Sequence, residues 1–434
     1  MSPSRRLAIA LAALAVVAAA FAAGSVSSPT RPAVAQMPAD DVRLNEIQVI
    51  GSHNSYHVVP DPDEEALRRA VLGSAADLMQ YTHRPLPVQF ASQKVRQIEL
   101  DVFVDRAGGK YATPLLRDVA GKGAYQPEVM NQPGLKVLHI QDVDYVSTCV
   151  TLDLCLRQIK TWSDANPSHV PIAVLLELKD TPLNFPGFEF VQPDPFDAAA
   201  MDEVDSTIRA VFPDDRLITP DDVRGSHATL NEAVLAGDAW PTLGESRGKV
   251  MFLMDNGGGY RSTYLAGHPN LAGRVLFTNA PAGAADAAFV KMNDPFETTE
   301  IQDLVRAGYV VRTRADGDTT EARNNDTRAR DAALASGAQW VSTDYPVPGL
   351  AVGFTSPYVA EIPGGTVARC NPINGPEGCV SAELDTIFDP EVLPPPTTPP
   401  PPPPTSAKTP TSPGTGAPGA TGARPVAGRP AYTG

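Results

Sequence analysis

The sequence predicts an α/β protein built as a (β/α)8 barrel of the TIM type. Eight short apolar runs recur along the middle of the chain, over residues 47–51, 97–104, 135–140, 172–178, 249–254, 274–278, 309–313 and 339–343. They are rich in Val, Ile and Leu, as strands buried on both faces of a parallel sheet are. Helical stretches alternate with them, which is the order of a barrel. Several runs end in His, Glu, Asp, Lys or Arg, and strand C-termini are where barrel enzymes keep their chemistry.

Taken in order, residues 1–35 read as an export signal, with Arg5 and Arg6 ahead of an apolar run over 7–23 and Ala33-Val34-Ala35 as a small-x-small cleavage site. The run is Ala-rich and barely long enough to span a bilayer, which weighs against a permanent anchor. No cysteine lies near it, so a lipoprotein anchor is excluded. Residues 394–434 are Pro, Thr, Gly, Ala and Ser with an unbroken proline run over 399–404. Such a composition cannot bury a core and reads as an extended or disordered tail, either a spacer or a segment threading a cell wall. Residues 36–393 remain as one exported, extracellular domain.

Amphipathic spacing predicts helices over 64–79, 152–165, 198–211 and 326–336. Asp202, Asp205 and Arg209 fall on the wet side of the third, and the fourth has Asp326 as N-cap and stops at Gly337. Cys149, Cys155, Cys370 and Cys379 allow three pairings, of which 149–155 and 370–379 each close a short loop. Their spacing does not suit zinc. The formal charge is −15, and −18 once Arg5, Arg6 and Arg31 are removed with the signal. That acidity argues against nucleic acid and predicts weak attraction to anionic membranes without a bridging cation.

The strand ends carry the chemistry. The first gives His53 and Asn54. The second gives Glu99 and Asp101, two apart and so on one face. The third gives His139, the fourth Glu177 and Lys179, and the fifth Asp255. The seventh gives Arg312, Arg314 and Asp316, and the eighth Asp344 and Tyr345. Asn54, Glu99, Asp101 and Glu177 form an all-oxygen set suited to a hard cation, with Ca2+ and Mg2+ both open. Two histidines beside it equip a general base and a general acid. Lys179, Arg312 and Arg314 add positive charge for an anionic substrate. Together these imply phosphodiester cleavage. Any one strand-end acid could instead cap a helix, and Arg312 and Arg314 could fix the rim against Asp316 or Asp344. His57, His83, His169 and His268 read as surface or hydrogen-bonded structural residues.

The segments Ile50-Gly51-Ser52-His53-Asn54-Ser55-Tyr56, Arg96-Gln97-Ile98-Glu99-Leu100-Asp101-Val102 and Leu138-His139-Ile140 resemble the phosphatidylinositol-specific phospholipase C superfamily of phosphodiesterases, and within it the secreted, calcium-dependent actinobacterial branch. Leu176-Glu177-Leu178-Lys179-Asp180 and Val311-Arg312-Thr313-Arg314-Ala315-Asp316 agree. The resemblance implies that His53 removes the proton of the inositol 2-hydroxyl and that His139 stabilises the transition state. It also implies that Asn54, Glu99, Asp101 and Glu177 hold Ca2+ rather than Mg2+. The products would be diacylglycerol and an inositol cyclic phosphate. Where animal relatives carry lysines for extra ring phosphates, this chain has Leu253 and Asp255. This favours plain phosphatidylinositol, with Asp255 available to ring hydroxyls. A monomer making transient contact with a membrane surface is expected. The rival readings are a glycerophosphodiester phosphodiesterase and a non-catalytic cell-envelope binding protein.

Overall fold

Apolar runs without a polar face must be covered on both sides, and a ring of parallel strands wrapped by helices does this without leaving an edge. The computed structural model describes residues 36–184 and 187–390; the expected export signal and Pro-rich tail lie outside them. Its strands are β1 (Ile47–Ser52), β2 (Val95–Phe103), β3 (Lys136–Val137), β4 (Ile172–Leu178), β5 (Leu217–Ile218), β6 (Val250–Met254), β7 (Leu276–Thr278), β8 (Phe289–Lys291), β9 (Val310–Arg314), β10 (Trp340–Thr343) and β11 (Ala368–Cys370). In the barrel, β2, β4 and β6 follow β1 on one side and β10, β9 and β8 on the other, all parallel. β7 pairs with the upper half of β6, and a single parallel bridge from Asn279 to Phe289 closes the ring. Every residue of β4 and β6 is buried. At about 1.5–3 kcal/mol for each large apolar side chain, this burial is the main favourable term.

The expected count of eight barrel strands holds, but one member differs. Residues 135–140 are not a barrel strand. Only Lys136 and Val137 are extended, and they run antiparallel to the C-terminal end of β2. This segment belongs to the long excursion between β2 and β4, and it folds back over the mouth. The strand it displaces from the count is β8, whose three residues were too short to show as an apolar run. The expected run over 274–278 shortens to β7. Arg274 lies outside it, stacked on Tyr264 at 4.4 Å and bonded to Asp205 at 3.1 Å.

The helices Leu152–Ala165 and Ala198–Val211 stand where the spacing put them. Asp205 is the exception: it is buried and accepts a hydrogen bond from Tyr264 Oη at 2.5 Å. The helix expected over 64–79 is Pro62–Leu72 followed by a 3-10 turn, because Gly73 breaks it with φ 59°. The helix expected over 326–336 starts at Arg328 with Thr327, not Asp326, at the N-cap position. Both local disulfides form, Cys149–Cys155 and Cys370–Cys379.

The barrel floor is closed by the C-terminal segment. β11 pairs antiparallel with β1. Buried Arg96 of β2 donates to Asp385 Oδ2 at 2.7 Å and to the carbonyls of Phe90 and Ile387, and it stacks on Trp162. Gly337 ends the helix Arg328–Ser336 with φ 79°, and a Cβ there would lie 2.9 Å from Ile373 Cβ. Gly337→Ala is therefore expected to cost about 1–3 kcal/mol. An unchanged urea midpoint would show that this turn does not constrain β10.

Candidate active site

Parallel register sets the mouth. Ser52 is paired with Thr343, so the next residues out of β1 and β10, His53 and Asp344, are neighbours. His53 Nδ1 lies 2.8 Å from Asp344 Oδ1, and Arg314 stands against the same imidazole at 3.4 Å. Asp101 is the register partner of Glu177, and Glu99 is two residues earlier on the same face of β2. Asn54 turns the chain out of β1 with φ 42°, a left-handed conformation that Asn tolerates. Its Nδ2 donates to Tyr81 Oη at 3.0 Å.

The charges are buried and only partly compensated. Glu99 Oε2 accepts from Arg312 Nη2 at 2.5 Å, and Glu99 Oε1 lies 3.9 Å from His53 Nε2. Lys179 Nζ bridges Asp101 Oδ2 at 3.2 Å and Glu177 Oε1 at 3.1 Å. Burial pushes Glu99 up to about 7 against the pull of Arg312. Burial also raises Asp101 well above the carboxylate range, with Lys179 opposing. His53 is held well below the usual histidine value, first by burial and then by Arg314 and Arg312, so it is neutral at physiological pH. Beyond it, burial and Asp344 push Asp316 up to about 7.

The donor set fits a hard cation. Oxygens of Glu99, Asp101 and Glu177 lie within 4.8 Å of one another. Among the described residues, Asn54 Oδ1, Glu99 Oε1 and Asp101 Oδ1 are buried without a hydrogen-bond partner. Orphaned buried acceptors are costly, and a cation would satisfy them together.

The other candidates take separate places. His139 rides on the excursion after β2, with Nδ1 2.7 Å from Asp144 Oδ2. Asp255 directly follows β6, and Lys291 Nζ lies 2.5 Å from its Oδ2. Arg312 is wholly buried and spends its guanidinium on Glu99, Asn293 and Ser342, so it braces the carboxylates from inside the barrel. Arg314 Nε donates to the Asp316 carbonyl at 2.9 Å, close to the rim-fixing alternative. Sequence reasoning set Asp344 at the end of the eighth strand without giving it a role, and did not place Asp144, Tyr81 or Lys291 at this mouth. Asp344 had a signal, as an acid at a strand end. Lys291 had none, because its strand was not recognised. His57 and His83 are buried and hydrogen-bonded, to Asp144 and to the His53 carbonyl.

Fold and mouth together define a barrel enzyme of the phosphodiesterase class. More narrowly, residues 42–372 match the family described as phosphoinositide phospholipase C, Ca2+-dependent, and the chain belongs to that family. No curated protein matches it. A similar solved structure is the calcium-dependent phosphoinositol-specific phospholipase C of a Gram-negative Pseudomonas sp. in its apo form. It is 18% identical with a TM-score of 0.47, and the match covers 78% of this chain and 99% of that one. Another is the Ca2+-dependent phosphatidylinositol-specific phospholipase C of Streptomyces antibioticus, 18% identical with a TM-score of 0.43, covering 70% and 95%. Family membership rests on the 42–372 match.

Arg312→Met leaves Glu99 buried without its cation and is expected to cost about 3–5 kcal/mol at pH 8 in chelator. Equal urea stability of variant and parent would mean that Glu99 does not depend on Arg312.

Proposed function

We propose that the chain cleaves phosphatidylinositol between phosphorus and the glycerol oxygen, giving diacylglycerol and an inositol cyclic phosphate. The observation that carries this reading is the trio of buried, unpartnered oxygens on Asn54, Glu99 and Asp101 beside a neutral histidine. Asn54, Glu99, Asp101 and Glu177 would hold the Ca2+ on which the family depends. When bound, the ion supplies Lewis acidity to a phosphate oxygen and acidity to the inositol hydroxyl.

The residues of this chain do the rest. His53 Nε2 accepts the proton of the 2-hydroxyl as its oxygen bonds to phosphorus, while Asp344 fixes the ring through Nδ1. His139, as the imidazolium, gives its Nε2 proton to the departing glycerol oxygen as the bond from that oxygen to phosphorus breaks. Lys179 lies next to the carboxylates with its side chain 24% exposed, placed to reach a phosphate oxygen. Asp255, charge-balanced by Lys291, offers an acceptor to ring hydroxyls. Two disulfides suit an oxidising compartment, which supports export of the domain. Among the described residues no helix is long and apolar enough to cross a membrane.

The test is phosphorus NMR with phosphatidylinositol micelles. A cyclic inositol phosphate signal should appear with Ca2+ and vanish with chelator. Cleavage of glycerophosphoinositol alone would overturn the lipid reading. His53→Ala should lose at least about 10²-fold in turnover and keep Ca2+ binding. Ca2+ should also displace protons. Glu99 titrates near 7 without the ion, so its proton-linked stability is present below the ordinary glutamate range and is lost as pH rises through 7. Calorimetry should therefore find tighter Ca2+ binding at pH 8 than at pH 6, with proton release. A pH-independent affinity would remove Glu99 from the ligand set.

A further inference from the structure

His139 lies on no barrel strand, so strand register cannot aim its ring. What fixes it is a tight turn and one carboxylate. The His139 and Ile140 amides both donate to the Asp144 carbonyl, and the Asp144 amide donates back to Ile140. The Asp144 carboxylate accepts from His139 Nδ1 at 2.7 Å, from His57 Nε2 at 2.9 Å and from Arg68 Nη1 at 2.5 Å. Arg68 is itself held by Glu65, with Nε 2.7 Å from Oε2. Asp144, His57 and Arg68 are all fully buried.

His57, His139 and Asp144 stand close enough to ligate a metal. The guanidinium already on Asp144 makes that unfavourable, because a second cation would be buried beside it. The same guanidinium is what an orienting network needs. Burial draws the His139 pKa down and Asp144 opposes it. Asp144 is itself kept well below the carboxylate range: burial works upward, and His57, Arg68 and His139 outweigh it.

We propose that Asp144 is a positioning residue for His139. By accepting the Nδ1 proton it turns Nε2 to the substrate: the His139 imidazolium gives its Nε2 proton to the leaving oxygen and is left as the neutral ring protonated on Nδ1, while Arg68 and His57 clamp the carboxylate. Helix Pro62–Leu72 thereby braces the proton donor from outside the barrel. The proposal rests on His139 acting as the general acid of the reaction above. Losing a carboxylate that fixes an imidazole's tautomer can cost up to about 10⁴ in turnover.

The experiment compares the full chain, Asp144→Asn, and the double variant Arg68→Gln/Asp144→Asn, which avoids a stranded arginine. Two substrates are used: phosphatidylinositol micelles, and an inositol phosphodiester with a 4-nitrophenyl leaving group, which departs without protonation. Both variants should lose at least about 10²-fold in kcat on the lipid, with KM and Ca2+ affinity within about twofold. On the aryl ester the loss should stay below about tenfold. Equal losses on both substrates would show a merely structural lesion and overturn the proposal. Nitrogen-15 NMR of the imidazoles gives a reading independent of turnover. Once titrated to the neutral form, His139 should carry its one proton on Nδ1 in the parent and lose that preference in Asp144→Asn. A neutral parent ring protonated on Nε2 overturns the proposal. An Nδ1-protonated parent that cleaves neither substrate would instead overturn the reaction and leave the orientation standing.

Discussion

The barrel mouth is built around the burial of two carboxylates on one strand. Glu99 and Asp101 have no exposed surface, and carboxylates out of water must be paired, protonated or bound to a cation. Arg312 takes one oxygen of Glu99 and Lys179 takes one of Asp101, leaving an oxygen on each unsatisfied. The rest of the mouth follows from that imbalance. Glu177 arrives by register beside Asp101, and Asn54 adds a neutral oxygen. The apolar ring of β4 and β6 keeps the dielectric low enough for these charges to matter.

The same constraint separates the two histidines. His53 is a product of the barrel itself. One more step along the β1–β10 register brings it against Asp344, and the cations around Glu99 help keep it neutral. His139 is carried by the excursion after β2 and needs its own carboxylate, Asp144, backed by Arg68 from a helix outside the barrel. Two imidazoles of the same chemical type are thus oriented by two different parts of the fold.

The long apolar runs made most of the fold legible. β4 and β6 bury all their residues and were readable as such, and the helices Leu152–Ala165 and Ala198–Val211 fell where their periodicity put them. What misled was shortness. β8 spans only Phe289–Lys291 and is recognised by its partners, not its pattern. Leu135 to Ile140 looks like a strand by composition but runs against β2 for two residues only. The pair Glu99 and Asp101 was legible because two-residue spacing fixes a shared face. Asp344 was visible as a strand-end acid, but its pairing with His53 was not.

By itself the sequence determined seven of the eight buried strands and the oxygen-rich end of β2, because hydrophobic periodicity and side-chain spacing are local properties of the chain. Only the tertiary structure decided which strand is eighth, that Arg312 is an inward brace, that Asp255 is balanced by Lys291, and that Asp144 holds His139. Each of these depends on register between strands, or on packing between segments far apart in sequence. No local pattern encodes how two such segments meet.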